Sequence, residues 1–131
     1  MKVLMAQLNY QIADIEGNTQ KILAVIEQYG HQLDLLVFTE LCITGYYPKD
    51  LLYQQSLIDA QNESIKRIQK ATEGLSAGVV IGYVEKNTGY GKPYFNSLGL
   101  YEKGKRIASF NKQLLPVYNI FDEARHFEPG N

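Results

Sequence analysis

Cysteine is nearly missing from this chain: Cys42 is the only one among 131 residues. A single thiol excludes an internal disulfide, and with only His31 and His126 beside it the spacing of a metal site is lacking. A surplus of charge of either sign is missing too. Thirteen Lys and Arg stand against fourteen Asp and Glu, for a formal charge of -1. The basic residues are interleaved with acids, so the footprint of a nucleic-acid-binding protein is absent. Long apolar runs are also wanting, since the longest uncharged apolar-rich stretch, Leu75 to Val84, falls far short of the ~20 residues a membrane helix needs. The opening Met1-Lys2-Val3-Leu4 lacks the basic segment, apolar stretch and cleavage site of a secretory leader, and a cytoplasmic location is expected. Internal repeats and low-complexity tracts do not occur.

What is present is the mix of an ordinary globular domain, 45% hydrophobic and 21% charged. Lys2 to Leu8 reads as a strand. Asn18 is placed to cap a helix whose Ile22, Leu23, Ile26 and Tyr29 recur at helical spacing, with Gly30 to end it. Leu33 to Phe38 is a short apolar run bounded by Thr39-Glu40, the pattern of a buried strand ending on a carboxylate. The chain thus opens β-α-β.

Gly45-Tyr46-Tyr47-Pro48 is turn chemistry, and Ser56 is placed to cap a second helix with Ile58, Ile65, Ile68 and Leu75 on its core face. Gly74 is expected to stop it. Gly78 to Val84 reads as another buried strand, while Phe95 to Tyr101 and Arg106 to Phe110 flank Lys103-Gly104 as a hairpin. The expectation is an α/β fold of two helices and about five strands. From Asn111 onward a loop dense in charge and aromatics follows, and such loops are often functional. It runs into Pro129-Gly130 with no strand to use the turn, so residues 1–131 are expected to be the front portion of a domain.

Glu40 and Lys112 each lie just past a strand-like run, at the end of the sheet where ligands of α/β proteins bind. Either could be a solvated strand-end charge. Their shared position is the stronger signal, because a cation beside a carboxylate favours its ionised form and can hold a general base in a water-poor site. Cys42 sits between apolar Leu41 and Ile43 and reads as a small buried hydrophobe rather than a nucleophile. His126, between Arg125 and Phe127, suits packing or hydrogen bonding better than metal ligation. Lys66, Arg67 and Lys70 read as the outer face of the second helix, and Gly89-Tyr90-Gly91 as a turn, since no helix and lysine follow it as in a phosphate loop.

Three stretches resemble the nitrilase, or carbon-nitrogen hydrolase, superfamily. Lys2 to Asn9 with Asp14 to Asn18 is similar to its first strand and helix, Phe38-Thr39-Glu40-Leu41 to its glutamate motif, and Phe110 to Pro116 to its lysine motif. Within it, Gly45 to Leu52 and Tyr118 to Gly130 resemble the glutaminase domain of glutamine-dependent NAD synthetases. The resemblance implies an α-β-β-α sandwich, of which this chain is the first part only. It implies hydrolysis of glutamine, with ammonia passed to a separate synthetase domain that amidates deamido-NAD using ATP and Mg, and a homo-oligomeric assembly. No cofactor is implied for residues 1–131 themselves.

Carried over position by position, the resemblance makes Glu40 the general base and Lys112 the stabiliser of the tetrahedral oxyanion. Tyr118 and Glu123 would hold the α-amino end of glutamine, and Tyr46 and Phe121 would wall the pocket. The family's nucleophilic cysteine lies on a strand beyond the lysine loop, past Asn131, and Cys42 does not match it. Two other readings stay open: a stand-alone amidase acting on another small amide, and a non-catalytic interaction module in which Glu40 and Lys112 form a structural ion pair.

Overall fold

The computed structural model describes residues 1–131. Its regular elements are β1 Val3–Ala6, α1 Ile15–Tyr29, β2 Leu35–Phe38, α2 Gln55–Ala71, β3 Gly78–Lys86, β4 Tyr94–Glu102 and β5 Lys105–Asn111. Short 3₁₀ turns cover Lys49–Tyr53 and Glu123–Arg125. The strands form one sheet in the order β1-β2-β3-β4-β5. Pairing is parallel from β1 to β3 and antiparallel from β3 to β5. The expected α/β class, helix count and strand count are all met.

Helix α1 starts one turn earlier than Asn18 would place it. Asp14 is the N-cap, its carboxylate accepting from the Gly17 N–H at 3.1 Å, and Glu16 adds negative charge to the first turn, where the helix dipole favours it. Gly17 leaves room for that cap, since a β-carbon there would lie 2.2 Å from the Asp14 carboxylate. Asn18 instead sits buried inside the helix. Its amide donates to the carbonyls of Gln11 and Ile43 at 2.8 and 2.9 Å, tying two loops to α1. The Ser56 cap is likewise corrected. Helix α2 begins at Gln55 directly out of the preceding 3₁₀ turn, and the Gln54 carbonyl takes the Leu57 N–H at 3.0 Å, so no side-chain cap is used.

Both helices lie on one side of the sheet. Ile22 and Ile26 of α1 and Ile68 of α2 share a buried core with Leu36, Phe38, Val79, Ile81, Tyr83 and Tyr101. Burying a side chain of this size contributes about 1.5–3 kcal/mol, so this layer supplies much of the fold's stability. Tyr29 ends its stripe exposed at the helix terminus. Gln61 is a polar member of the α2 face that suits its place, exchanging two hydrogen bonds of 2.8 and 2.9 Å with the backbone of Val84. The opposite sheet face carries Val3, Met5, Leu98 and Phe110, all exposed. Sheet and helices form one α-β layer pair of the expected sandwich.

Candidate active site

The site gathers where β2, β4 and β5 end or pass beneath two loops. Strands β2 and β5 run in the same direction but are not neighbours, with β3 and β4 between them. Three inter-strand spacings amount to roughly 14 Å. The gap closes because residues 39 to 41 fold over β3 at Gly82. A β-carbon on Gly82 would lie 2.5 Å from Leu41 N, 2.8 Å from Thr39 O and 2.9 Å from Glu40 Cα, so only glycine lets the loop lie this low. Leu41 adopts a left-handed φ of 46°, and the Cys42 N–H donates to Gly82 O at 3.1 Å, which straps the loop down.

Glu40 and Lys112 therefore meet. Lys112 Nζ lies 2.7 Å from Glu40 Oε1 and 3.0 Å from Glu123 Oε2. The two carboxylates differ in environment: Glu40 is 43% exposed at its side chain and Glu123 is fully buried. Glu123 Oε1 accepts from Asn96 Nδ2 at 2.8 Å, and Oε2 accepts from the Tyr46 hydroxyl at 3.2 Å. Burial works against the Lys112 ammonium, yet hydrogen bonds to Glu40 and Glu123 and their charges outweigh it and hold its pKa above the ordinary lysine value. Burial, then the charges of Glu123 and Glu40, push the Tyr46 phenol upward, which keeps it a hydrogen-bond donor.

The loop after Lys112 is anchored at both ends of its 3₁₀ turn. Glu123 N–H donates to Pro116 O at 3.1 Å, Tyr47 Oη donates to Asp122 O at 2.8 Å, and fully buried Phe127 bridges β4 at Tyr94. Phe121 stands between Tyr46 and Tyr118, with ring centroids 6.1 and 5.7 Å away. Glu40, Lys112, Glu123 and Tyr46 thus touch directly, and Phe121 and Tyr118 continue the cluster as an aromatic wall whose outer member, Tyr118, is exposed. An open cavity of about 270 Å³ adjoins it, lined by Glu40, Asn96, Leu98, Phe110 and Lys112 among others.

Asn96 was not legible as a site residue. The only sequence signal is an amide placed at mid-strand among Tyr94, Phe95 and Leu98. Cys42 is buried in the core, with Sγ 3.5 Å from Gly82 O, and desolvation pushes its thiol up to about 12. A thiol reagent at pH 8 is expected to leave the native chain unlabelled and to label it fully in denaturant; rapid native labelling would contradict this burial. His126 is buried between the rings of Tyr47 and Tyr53, with Nδ1 3.1 Å from the Tyr53 hydroxyl and Nε2 3.4 Å from Asp50. Lys66 and Arg67 pair with Glu63 and Glu16 on the outer helix faces, and Gly89 lies in a turn held by Asn87. No helix is long and apolar enough to cross a membrane.

The sheet with its helix layer carries a lysine set between two carboxylates, and residues 2–131 match the family model of the carbon-nitrogen hydrolases. The chain belongs to that family. It is 32% identical over 130 residues to the glutamine-dependent NAD(+) synthetase of Aquifex aeolicus (strain VF5), covering 99% of this chain and 22% of that protein. The corresponding protein of Thermotoga maritima is 33% identical over 133 residues, with the same shares of 99% and 22%. The chain spans about a fifth of the length of these curated relatives.

Among solved structures, glutamine-dependent NAD+ synthetase from Acinetobacter baumannii in complex with ADP superposes with a TM-score of 0.88 at 32% identity, covering 99% of this chain and 24% of that one. An amidase from Nesterenkonia sp. superposes at 0.73 with 22% identity, covering 100% of this chain and 48% of that one, and shows the shared fold.

Proposed function

We propose that this chain forms the glutamine-hydrolysing part of a glutamine-dependent NAD synthetase, releasing ammonia for the ATP-dependent amidation of deamido-NAD. One observation carries the reading: a lysine ammonium held between an accessible carboxylate and a buried one, 2.7 and 3.0 Å away, beside an open cavity. Glu40 acts as general base, taking the proton of the attacking thiol and handing it to the leaving nitrogen. Lys112 places fixed positive charge where the tetrahedral oxyanion forms, a role worth several kcal/mol in a dry site.

Tyr118 and Glu123 hold the α-amino end of glutamine, with Glu123 exchanging its Tyr46 hydroxyl for the ammonium, and Tyr46 and Phe121 wall the pocket. Cys42 is not the nucleophile, since its sulfur faces the core. Residues 1–131 hold no other cysteine, so the thiol reaches the site from outside them. ATP and Mg serve the synthetase reaction, which residues 1–131 do not carry. A cytoplasmic, homo-oligomeric enzyme fits the reading.

The test is ammonia release by the longest native polypeptide that carries the chain. Glutamine is expected to be hydrolysed, and Glu40→Gln to lower kcat at least 100-fold, the scale of a lost general base. Hydrolysis of short aliphatic amides in preference to glutamine would favour a stand-alone amidase, and no hydrolysis of either an interaction module.

A further inference from the structure

We propose that Asn96 is a positioning residue that decides which oxygen of Glu40 handles the proton, an inference that rests on the hydrolytic reading above. Asn96 lies on β4, paired in register with Val84, and is only 3% exposed. Its side-chain amide has two N–H bonds and both are spent on carboxylates: Nδ2 lies 2.6 Å from Glu40 Oε1 and 2.8 Å from Glu123 Oε1. Its main-chain carbonyl takes the Lys112 N–H at 2.7 Å. One residue thus touches all three charged members of the site.

The amide orientation follows from chemistry. Turned over, its carbonyl oxygen would face two carboxylate oxygens with no proton between them, so the nitrogen must face them. Nδ2 can only donate, so it occupies one lone pair of Glu40 Oε1. Lys112 Nζ occupies the other from 2.7 Å, which leaves no place for a proton on that oxygen. Every protein donor to Glu40 therefore converges on Oε1, and Oε2 is the atom free to take a proton. In the proposed reaction the S–H bond of the thiol breaks as an O–H bond forms at Oε2, and that proton then leaves with the amide nitrogen as ammonia.

Without Asn96 the Glu40 carboxylate is held by Lys112 alone and can swing about its last bond, so its free oxygen is no longer aimed. The amide also gives each glutamate a hydrogen-bond donor of its own. A purely structural residue at this strand position would be apolar, as Leu98 and Leu100 are on the same face.

The substitutions Asn96→Leu and Asn96→Asp separate positioning from packing. Both are expected to lower kcat for glutamine about 100-fold, the cost of a reacting group displaced by ~1 Å, with KM changed less than about twofold. Asn96→Asp is expected to regain activity as pH falls from 8 to 6, because a protonated Asp donates again, while Asn96→Leu does not. Equal profiles for the two variants, or a loss confined to KM, would overturn the proposal. A substrate-free readout is the pair of Asn96 side-chain amide protons in the NMR spectrum of the chain. Glu40→Gln should move one proton and Glu123→Gln the other. Both moving together, or both exchanging freely with solvent, overturns the assignment even if Asn96→Leu fails to fold. An unmutated protein inactive toward glutamine sinks the functional reading alone, and the amide protons then decide the role of Asn96.

Discussion

Replacing Lys112 by methionine is expected to lower the melting temperature by roughly 10 °C at pH 7 and to abolish amide hydrolysis. The two ion pairs of Lys112 are unequal. Its bond to Glu40 involves a carboxylate 43% exposed, and exposed pairs contribute about 0–1 kcal/mol. Its bond to Glu123 involves a carboxylate with no exposure, and stranding a buried charge costs about 3–5 kcal/mol. Three kcal/mol corresponds to roughly 10 °C for a domain of this size.

The linkage has a definite sign. The Lys112 pKa is held above the ordinary lysine value, so its stabilisation is present throughout the neutral range and is lost only as pH rises beyond about 10.4. Adding Glu123→Gln should restore part of the lost stability and none of the activity. A methionine variant melting within about 2 °C of the parent would show that Lys112 does not balance Glu123.

The substitution Gly82→Ala is expected to cost about 1–3 kcal/mol of stability, the usual penalty of overpacking, and about 100-fold in kcat/KM. The added methyl would meet three main-chain atoms between 2.5 and 2.9 Å, and none is the end of a side chain that can swing aside. The loop of residues 39 to 41 must therefore rise, and Glu40 rises with it, away from Lys112 and Asn96. Gly89→Ala is the matched control, because the nearest atom to its added carbon is 3.4 Å away. It should leave melting and rate within error. An alanine at position 82 with full activity would mean that the loop's low path does not aim Glu40.

Features set by local chemistry were legible in the sequence. The β4–β5 hairpin turns at Lys103-Gly104 as the motif suggested, both residues taking left-handed φ, and Glu40 and Lys112 follow their strands as read. Asn18 was misread because an asparagine before an apolar run looks the same whether it caps a helix or reaches out of its first turns to neighbouring loops; Asp14, four residues earlier, was the better cap. Gly82 and Asn96 carry no signal in the sequence, since their roles arise only when a loop from β2 crosses β3 and descends on β4. That is a fact of tertiary path, and neither periodicity nor spacing encodes it. The family motifs at Gly45 to Leu52 and at Tyr118 to Gly130 compensate in part, because they point to Tyr46, Phe121 and Glu123 without any knowledge of contacts among them.

The strands join the sheet in the order in which they are translated. On the ribosome each new strand finds its neighbour already made, and none must wait for a later segment to be threaded between earlier ones. The charged cluster follows a different schedule. Glu40 emerges early, but its buried counter-carboxylate comes with the loop that Phe127 anchors to Tyr94. At about 5–20 residues per second, that interval is on the order of ten seconds. The nascent chain can complete this sheet while Glu40 and Glu123 are still apart, so the charged cluster assembles after the sheet that carries it.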